Sequence, residues 1–436
     1  MRRWRTDGAG LCGLAAALAV ALCAVILASP ARVSAEPPVA TRTGFSAEGL
    51  KRVGAYLQNE VDSGKIPGAI ILIQQHGKAA YYKKLGVRDA ASRQPMTDDT
   101  IFRLYSMSKP VTSVVVMMLV DDGKLALSDP LSKYIPAFAD VKVGVEKAGE
   151  DGKSELAMKP LERPITIEDL LRHTSGITYG FYGDTLVRKR YASSNMYEGD
   201  FDNAQFIERL AKLPLAEQPG RLWDYGHSTD VLGRVIEVVS GKSLYQFEKE
   251  RLLDPLGMRN TSFYLPDPAE ASLLAEPLPS DRFTSPVAGI HQPAKPHRWE
   301  SGGAGMIGTI SDYARFAQML LYGGALDGRR YLKAQTVALM TCDHISPETK
   351  IARNQYYFPG ADSGFGLGFA VRTVENPPLA VGEYRWDGVG GTFFFIDPKD
   401  DMFTIVMMQS ASQRGRIQTE IRTLIYEALT PPARSP

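Results

Sequence analysis

Residues Ala69 to Gln75 form a β-branched, apolar run, His76-Gly77-Lys78 has turn chemistry, and Ala79 to Lys84 reads as a returning strand, which predicts an antiparallel hairpin near the start of the chain. Extended patterns return only far downstream, over Gly366 to Val371, Glu383 to Gly388, Thr392 to Asp397 and Met402 to Gln409, separated by turn signals such as Asp397-Pro398-Lys399-Asp400. Between these blocks the apolar positions follow helical spacing over Ile167 to Leu171, Asn203 to Leu213, Ser228 to Val239, Leu244 to Leu253 and Ser311 to Leu321. Strands at both ends with helices between them predict an α+β fold. The two chain ends build one antiparallel β-sheet flanked by N- and C-terminal helices, and the middle forms a mostly helical lobe. A site is expected at the seam. Residues 145–163, charged and glycine-containing, read as a surface loop insertion. With no repeat, low-complexity block or proline-rich linker, residues 36–436 are expected to form a single catalytic-sized domain.

The first residues break this pattern. Arg2, Arg3 and Arg5 precede an apolar run from Leu11 to Ala28, followed by Val33-Ser34-Ala35, the order of a secretory signal peptide cleaved after Ala35. The alternative is an uncleaved membrane anchor, since the run is at the lower edge of spanning length. Cleavage predicts an exported protein, periplasmic or secreted, with no stable membrane insertion. It removes four arginines and one aspartate, taking the formal charge from +1 to −2. A balance so near neutral leaves no electrostatic footprint for nucleic acid. Cys342 is then the one cysteine left, which excludes an internal disulfide and reads as a buried small hydrophobe. The six histidines lack helical i, i+4 pairing and no cysteine partners another, so no metal and no cofactor is expected.

Chemistry concentrates at Ser106-Met107-Ser108-Lys109, where the extended stretch Ile101 to Tyr105 meets a helical run beginning around Pro110, a residue tolerated in a first turn. Residues i and i+3 share a helix face, so the Lys109 amine can reach the Ser106 hydroxyl, with the positive helix N-terminus beside it. A buried lysine has its pKa lowered and can take the serine proton. Ser108 is a poorer partner, because i and i+1 point to different faces. The plainer alternative is an N-cap serine followed by a solvated lysine.

Tyr225, on a turn before a helix N-capped by Ser228, could have its pKa depressed by a nearby lysine and relay a proton as phenolate or phenol; alternatively it is a core tyrosine capping the turn. His173, at the helix end Leu170 to Gly176, reads as a buried, hydrogen-bonded structural histidine, with Gly176 freeing the C-terminal turn. Gly303-Ala304-Gly305-Met306-Ile307-Gly308 matches a dinucleotide fingerprint but follows no core strand, and is read as a tight loop lining the pocket. No Gly-x-Ser-x-Gly elbow is present.

Five segments, Ser106 to Lys109, Leu170 to Gly176, Trp223 to Glu237, Gly302 to Phe316 and Trp386 to Pro398, stand in the order in which their counterparts occur in one superfamily. The chain resembles the serine β-lactamase and penicillin-recognising superfamily, and within it the family VIII carboxylesterases, which resemble class C β-lactamases. The resemblance implies a β-lactamase/transpeptidase-like fold with Ser106 as nucleophile and Lys109 and Tyr225 sharing general base and acid work. It implies an oxyanion hole from the backbone N–H groups of Ser106 and Val389, and Trp386-Asp387-Gly388 on the strand that carries Lys-Thr-Gly in β-lactamases. Trp386 in place of that lysine disfavours anionic substrates and favours neutral esters. Family VIII esterases often have Trp-Gly-Gly here, so Asp387 is a departure; Arg385 beside it could pair with an anion or with Asp387. His227 stands where β-lactamases carry the asparagine of Tyr-x-Asn, to bond the substrate or tune Lys109. Trp386, Gly388 and His227 are thus the candidate substrate-binding residues. The expected activity is a serine carboxylesterase acting on small-molecule esters of short to medium acyl chain, with weak β-lactam turnover. A β-lactamase or D-amino-acid-specific peptidase, or a non-catalytic penicillin-recognising binding protein, are the alternatives.

Overall fold

Strand β1, Gly68–Gln75, is apolar at successive positions because it is buried on both faces. Ala69, Ile71 and Ile73 face one apolar cluster, and Ile70 faces another. The computed structural model describes residues 44–150, 153–281, 292–295 and 297–430; the export segment expected over residues 1–35 lies outside them. Strand β1 turns through Gly77 into β2, Lys78–Asp89, and then β3, Gln94–Pro95. The remaining strands of the sheet come from the far end of the chain: β4 Ser363–Phe365, β5 Ala370–Arg372, β6 Tyr384–Asp387, β7 Phe393–Asp397 and β8 Met402–Met408. They form one antiparallel sheet in the order β4-β5-β6-β7-β8-β1-β2-β3, closed where Ala69 to Gln75 pair with Met408 to Met402. The expected sheet built by both chain ends is therefore observed.

One sheet face is covered by helix α1, Ala47–Asp62, and by the last helix, Arg414–Ala428. Ser46 caps α1 by accepting from the Gly49 N–H at 3.0 Å. Val53 and Leu57 from α1 and Ile417, Ile421 and Ile425 from the last helix meet Phe393, Phe395, Val406 and Met408 of the sheet. The two helices cross closely enough at Gly49 that a Cβ there would collide with Ala428.

The other face packs on helix α2, Ser108–Asp121, whose residues 108–119 are all buried. Surrounded on all sides, this helix needs no polar stripe, which accounts for its run of valines and methionines. Beyond it lies the helical lobe, including α3, Ser228–Ser240, whereas α4, Ile310–Leu321, lies on the sheet itself, with Tyr313 against Phe394 and Gln318 bonded to Gln74.

Several local expectations need correction. The run Gly366 to Val371 is not one strand: the Gly366 N–H bonds to the Phe369 carbonyl and Gly368 has φ +102°, so the chain turns between β4 and β5. Residues 145–163 are no loop; Val143–Ala148 and Ser154–Lys159 pair as an exposed hairpin. Ser228 does not cap α3. His227 occupies the N-cap without a side-chain bond to the helix backbone, while the Ser228 and Ser175 hydroxyls pair at 2.8 Å. Cys342 is exposed, because it follows the helix Ala334–Met340 at the surface. No helix among the described residues is long and apolar enough to cross a membrane.

Candidate active site

Tyr105, just before Ser106, has φ +49°, a left-handed conformation costly for an aromatic residue. The surroundings hold it there. The Ser108 hydroxyl donates to the Tyr105 carbonyl at 2.7 Å and accepts from the Met306 N–H at 3.0 Å. The Leu104 N–H donates to the Met306 carbonyl at 2.9 Å, and the Thr392 hydroxyl donates to the Leu104 carbonyl at 3.2 Å. The Tyr105 ring lies against Gly390, where a Cβ would strike it. The extended stretch expected over Ile101 to Tyr105 stops early: Ile101 bridges Leu274, Phe102–Arg103 pair with Ile307–Gly308, and Tyr105 already belongs to a tight 3-10 turn, residues 105–107. Ser106 is thus lifted, partly exposed, at the start of α2, whose N-cap is Met107. It does not cap the helix, and Lys109 is not solvated.

The Lys109 ammonium is buried and donates at 3.3 Å to the Ser106 hydroxyl, at 3.3 Å to the Tyr179 hydroxyl and at 2.7 Å to the Gly303 carbonyl. Burial lowers its pKa to about 7, against the opposing pull of Asp230 and Asp387. In the neutral amine two N–H groups can stay on Tyr179 and Gly303 while the lone pair takes the serine proton.

The Tyr225 ring lies under the same nitrogen, 4.5 Å from centroid to Nζ. Its buried hydroxyl makes no hydrogen bond of standard geometry, yet the Ser106 hydroxyl and the Trp386 indole are near enough to favour its ionised form. Burial outweighs them and pushes the pKa up, opposite to the depression expected, which favours the neutral phenol of the two forms considered from sequence. The Tyr225 turn is anchored by Asp224, whose two carboxylate oxygens both accept from Nη2 of buried Arg188, at 2.8 and 2.9 Å, and one of them from the Tyr182 hydroxyl at 2.9 Å. Replacing Arg188 by methionine strands the Asp224 charge and is expected to cost about 3–5 kcal/mol, read by urea denaturation.

His227 is buried with both ring nitrogens engaged, Nε2 with the Tyr197 hydroxyl and Nδ1 with Asp230, each at 2.7 Å. Asp230 also accepts from the Ser301 hydroxyl at 2.5 Å and the Gly303 N–H at 3.1 Å. His227 therefore bears on Lys109 through Asp230 and the 301–303 turn. Because the Asp230 charge raises the Lys109 pKa, Asp230→Asn is expected to move the acid limb of kcat/KM to lower pH, a shift that a purely structural role would not produce. The glycine loop exists for this turn: a Cβ on Gly303 would press on the Asp230 carboxylate.

On the opposite wall, Trp386 packs against Tyr225 with centroids 5.5 Å apart, and Gly388 approaches the Leu104 carbonyl so closely that a Cβ would collide with it. Asp387 is paired with Arg414 at 3.4 Å, not with Arg385. Val389 lines the same cavity as Ser106, which has a volume of about 700 Å3 and an aromatic mouth that includes Phe181 and Phe358. His173 is buried against Tyr225, Trp223 and Phe365, but its Nδ1 has no hydrogen-bond partner, so it is an aromatic spacer rather than the hydrogen-bonded histidine expected. Sequence reasoning missed Tyr179, Tyr197 and Asp230. Asp230 carried a signal, an acid one turn after His227 at a helix start; the two tyrosines carried none. Among the described residues no group of three or more His, Cys, Asp or Glu side chains is placed to hold a metal ion.

The Beta-lactamase family model matches residues 53–427. The chain is 35% identical over 367 residues to Protein Rv1367c of Mycobacterium tuberculosis (strain ATCC 25618 / H37Rv), covering 81% of this chain and 88% of that one. It is 27% identical over 416 residues to Esterase EstB of Burkholderia gladioli, covering 88% and 97%. Among solved structures, that of EstCE1, a hydrolase with promiscuous acyltransferase activity, is similar with a TM-score of 0.72 at 29% identity, over 87% of this chain and 99% of that chain. The chain belongs to the beta-lactamase family, in the branch of the serine β-lactamase and penicillin-recognising superfamily that holds the family VIII esterases.

Proposed function

We propose that this protein is a serine carboxylesterase that works through an acyl-enzyme on Ser106. The observation that carries the reading is a buried lysine, with pKa brought down to about 7, at 3.3 Å from a partly exposed serine hydroxyl. In acylation, neutral Lys109 takes the proton from Ser106 Oγ as that oxygen attacks the ester carbonyl. The developing oxyanion is received by the backbone N–H groups of Ser106 and Val389, donors held by the strand and the clamped turn. On collapse, the neutral Tyr225 phenol offers its O–H to the leaving alkoxide, and the proton on Lys109 restores the balance. Water then attacks the acyl-enzyme, and the same groups run in reverse. The aromatic walls around Ser106 suit the apolar part of an ester, in keeping with an esterase among the relatives.

The test is hydrolysis of p-nitrophenyl esters of graded chain length beside a chromogenic cephalosporin, with a serine-reactive phosphonate adduct mapped by mass spectrometry. Ester turnover at least about tenfold above cephalosporin turnover, with the adduct on Ser106, is the expected result. Dominant cephalosporin turnover would make this a β-lactamase, and a folded protein that takes no adduct would point to a binding protein. Residues 1–35 are read as a cleaved export signal; the purified exported protein is expected to begin at Glu36 on N-terminal sequencing.

A further inference from the structure

The cavity does not end at the aromatic walls. It continues past Asp387 to Arg372, Arg385, Arg414 and Arg422. Strand register explains how. Arg385 pairs across from Phe395, whose side chain lies in the cluster under the terminal helices, whereas Trp386 faces Tyr225. Arg372 is two residues beyond Ala370, the partner of Arg385, and so shares its face. Arg414 and Arg422 come from the last helix, two turns apart. The cavity therefore wraps around the end of β6 from the serine side to the helix side.

Four guanidiniums meet there with three carboxylates. Arg422 and Arg385 share Glu383, with Arg385 at 3.5 Å; Arg372 pairs with Asp362; Arg414 pairs with Asp387 at 3.4 Å. With four cations on three acids, Arg385 has only a half share of Glu383. The Arg385 Nη2 donates to neutral acceptors, the Pro359 carbonyl at 2.7 Å and the Ser363 hydroxyl at 2.9 Å, while its buried Nη1, the atom facing Glu383 at 3.5 Å, makes no hydrogen bond, and Glu383 Oε2 is likewise unbonded. The Nε groups of Arg372 and Arg422 are also buried without an acceptor. Burying one more positive than negative group, with donors unmet, is costly unless an anion completes the set. A single carboxylate matches both the surplus of one charge and the forked donors of a guanidinium.

We propose, building on the serine esterase reading, that this arm receives a free carboxylate carried by the substrate at a distance from the scissile bond, so that the favoured esters are apolar around the reacting carbonyl and acidic at the far end. The local effect of Trp386, which disfavours an anion next to Ser106, and the remote effect of the arginines then select for one kind of molecule.

The experiment compares p-nitrophenyl half-esters of glutaric, adipic and suberic acid with their methyl-capped counterparts, measured above the spontaneous rate. For at least one chain length the acid is expected to have a KM about tenfold lower than its capped counterpart, the worth of one charge-assisted hydrogen bond, and the ratio is expected to shrink with added salt. In Arg385→Gln, and independently in the more exposed Arg414→Glu, the acid-to-capped ratio of kcat/KM is expected to fall toward one, with thermal melting confirming the fold. Equal KM values for acid and capped esters at every length, or a ratio unchanged in both variants, would overturn this inference and leave the esterase reading standing. No turnover of either series would overturn both.

Discussion

Exchanging Lys109 for methionine is expected to lower kcat/KM for a p-nitrophenyl ester by about 10^4, the upper end of what a general base contributes. Methionine keeps nearly the same volume in a fully enclosed site, so packing survives while the base is lost. The pH dependence supplies the control. With the Lys109 pKa at about 7, wild-type kcat/KM should rise as pH increases through 7, because the neutral amine is the active form. The residual rate of the variant should lack that limb. Stability should depend on pH as well. The folded pKa is depressed from 10.5, so between about pH 7 and 10.5 the unfolded chain binds the proton that the folded chain has released, and wild-type stability rises with pH across that window. Below pH 7 the folded protein carries the full burden of the buried charge. Lys109→Met is therefore expected to be the more stable protein in acid, with its advantage shrinking as pH rises toward 10.5, measured by urea denaturation at several pH values. A variant that loses both activity and acid stability would mean that Lys109 is a structural residue.

The second large effect is expected from Gly388→Ala, a change of one methyl group. The added Cβ would collide with the Leu104 carbonyl and with the Thr392 hydroxyl, the two groups whose own bond ties the strand end to the nucleophile turn. The strand end must back away, carrying the next N–H, that of Val389, out of line. Loss of one oxyanion donor is expected to cost about 10^2 to 10^3 in kcat, with little change in KM, since the donor matters most when charge develops. Stopped-flow measurement of acylation should show the loss in that step. A Gly388→Ala enzyme with unchanged kcat would remove Val389 from the oxyanion hole.

What the sequence reveals about this site follows the range of each interaction. Ser106 and Lys109 are legible because their approach depends on i, i+3 geometry and nothing else. The sheet is legible because β1 and β8, buried on both faces, are continuous apolar runs. Tyr105 is the opposite case: its left-handed backbone is held by Gly390 and by the Ser108 bridge to Met306, and no glycine at position 105 marks it. Tyr179 reaches Lys109 across 70 residues of chain, with no pattern around it to say so. The Tyr225 pKa moves opposite to the depression expected from a neighbouring lysine, because it is governed by how deeply the ring is enclosed. The hairpin within residues 143–159 was read as a loop because its exposed strands carry no clear alternation. The basic arm was hidden for a related reason: Arg372, Arg385, Arg414 and Arg422 look like ordinary surface charges until the pleat and the last helix bring them together.

The pairing of β1 with β8 also sets a schedule. On the ribosome, residues 68–75 emerge more than three hundred positions before residues 402–408 that complete their hydrogen bonding. Until then one edge of β1 has no neighbour, and the face under α1 lacks the last helix that completes its cover. Contacts this distant along the chain form slowly and late. The sheet of this protein is therefore completed only when synthesis is almost finished. A premature stop between Lys109 and Met402 would leave Ser106 and Lys109 in the polypeptide and yet leave β1 without the strand that joins it to the rest of the sheet.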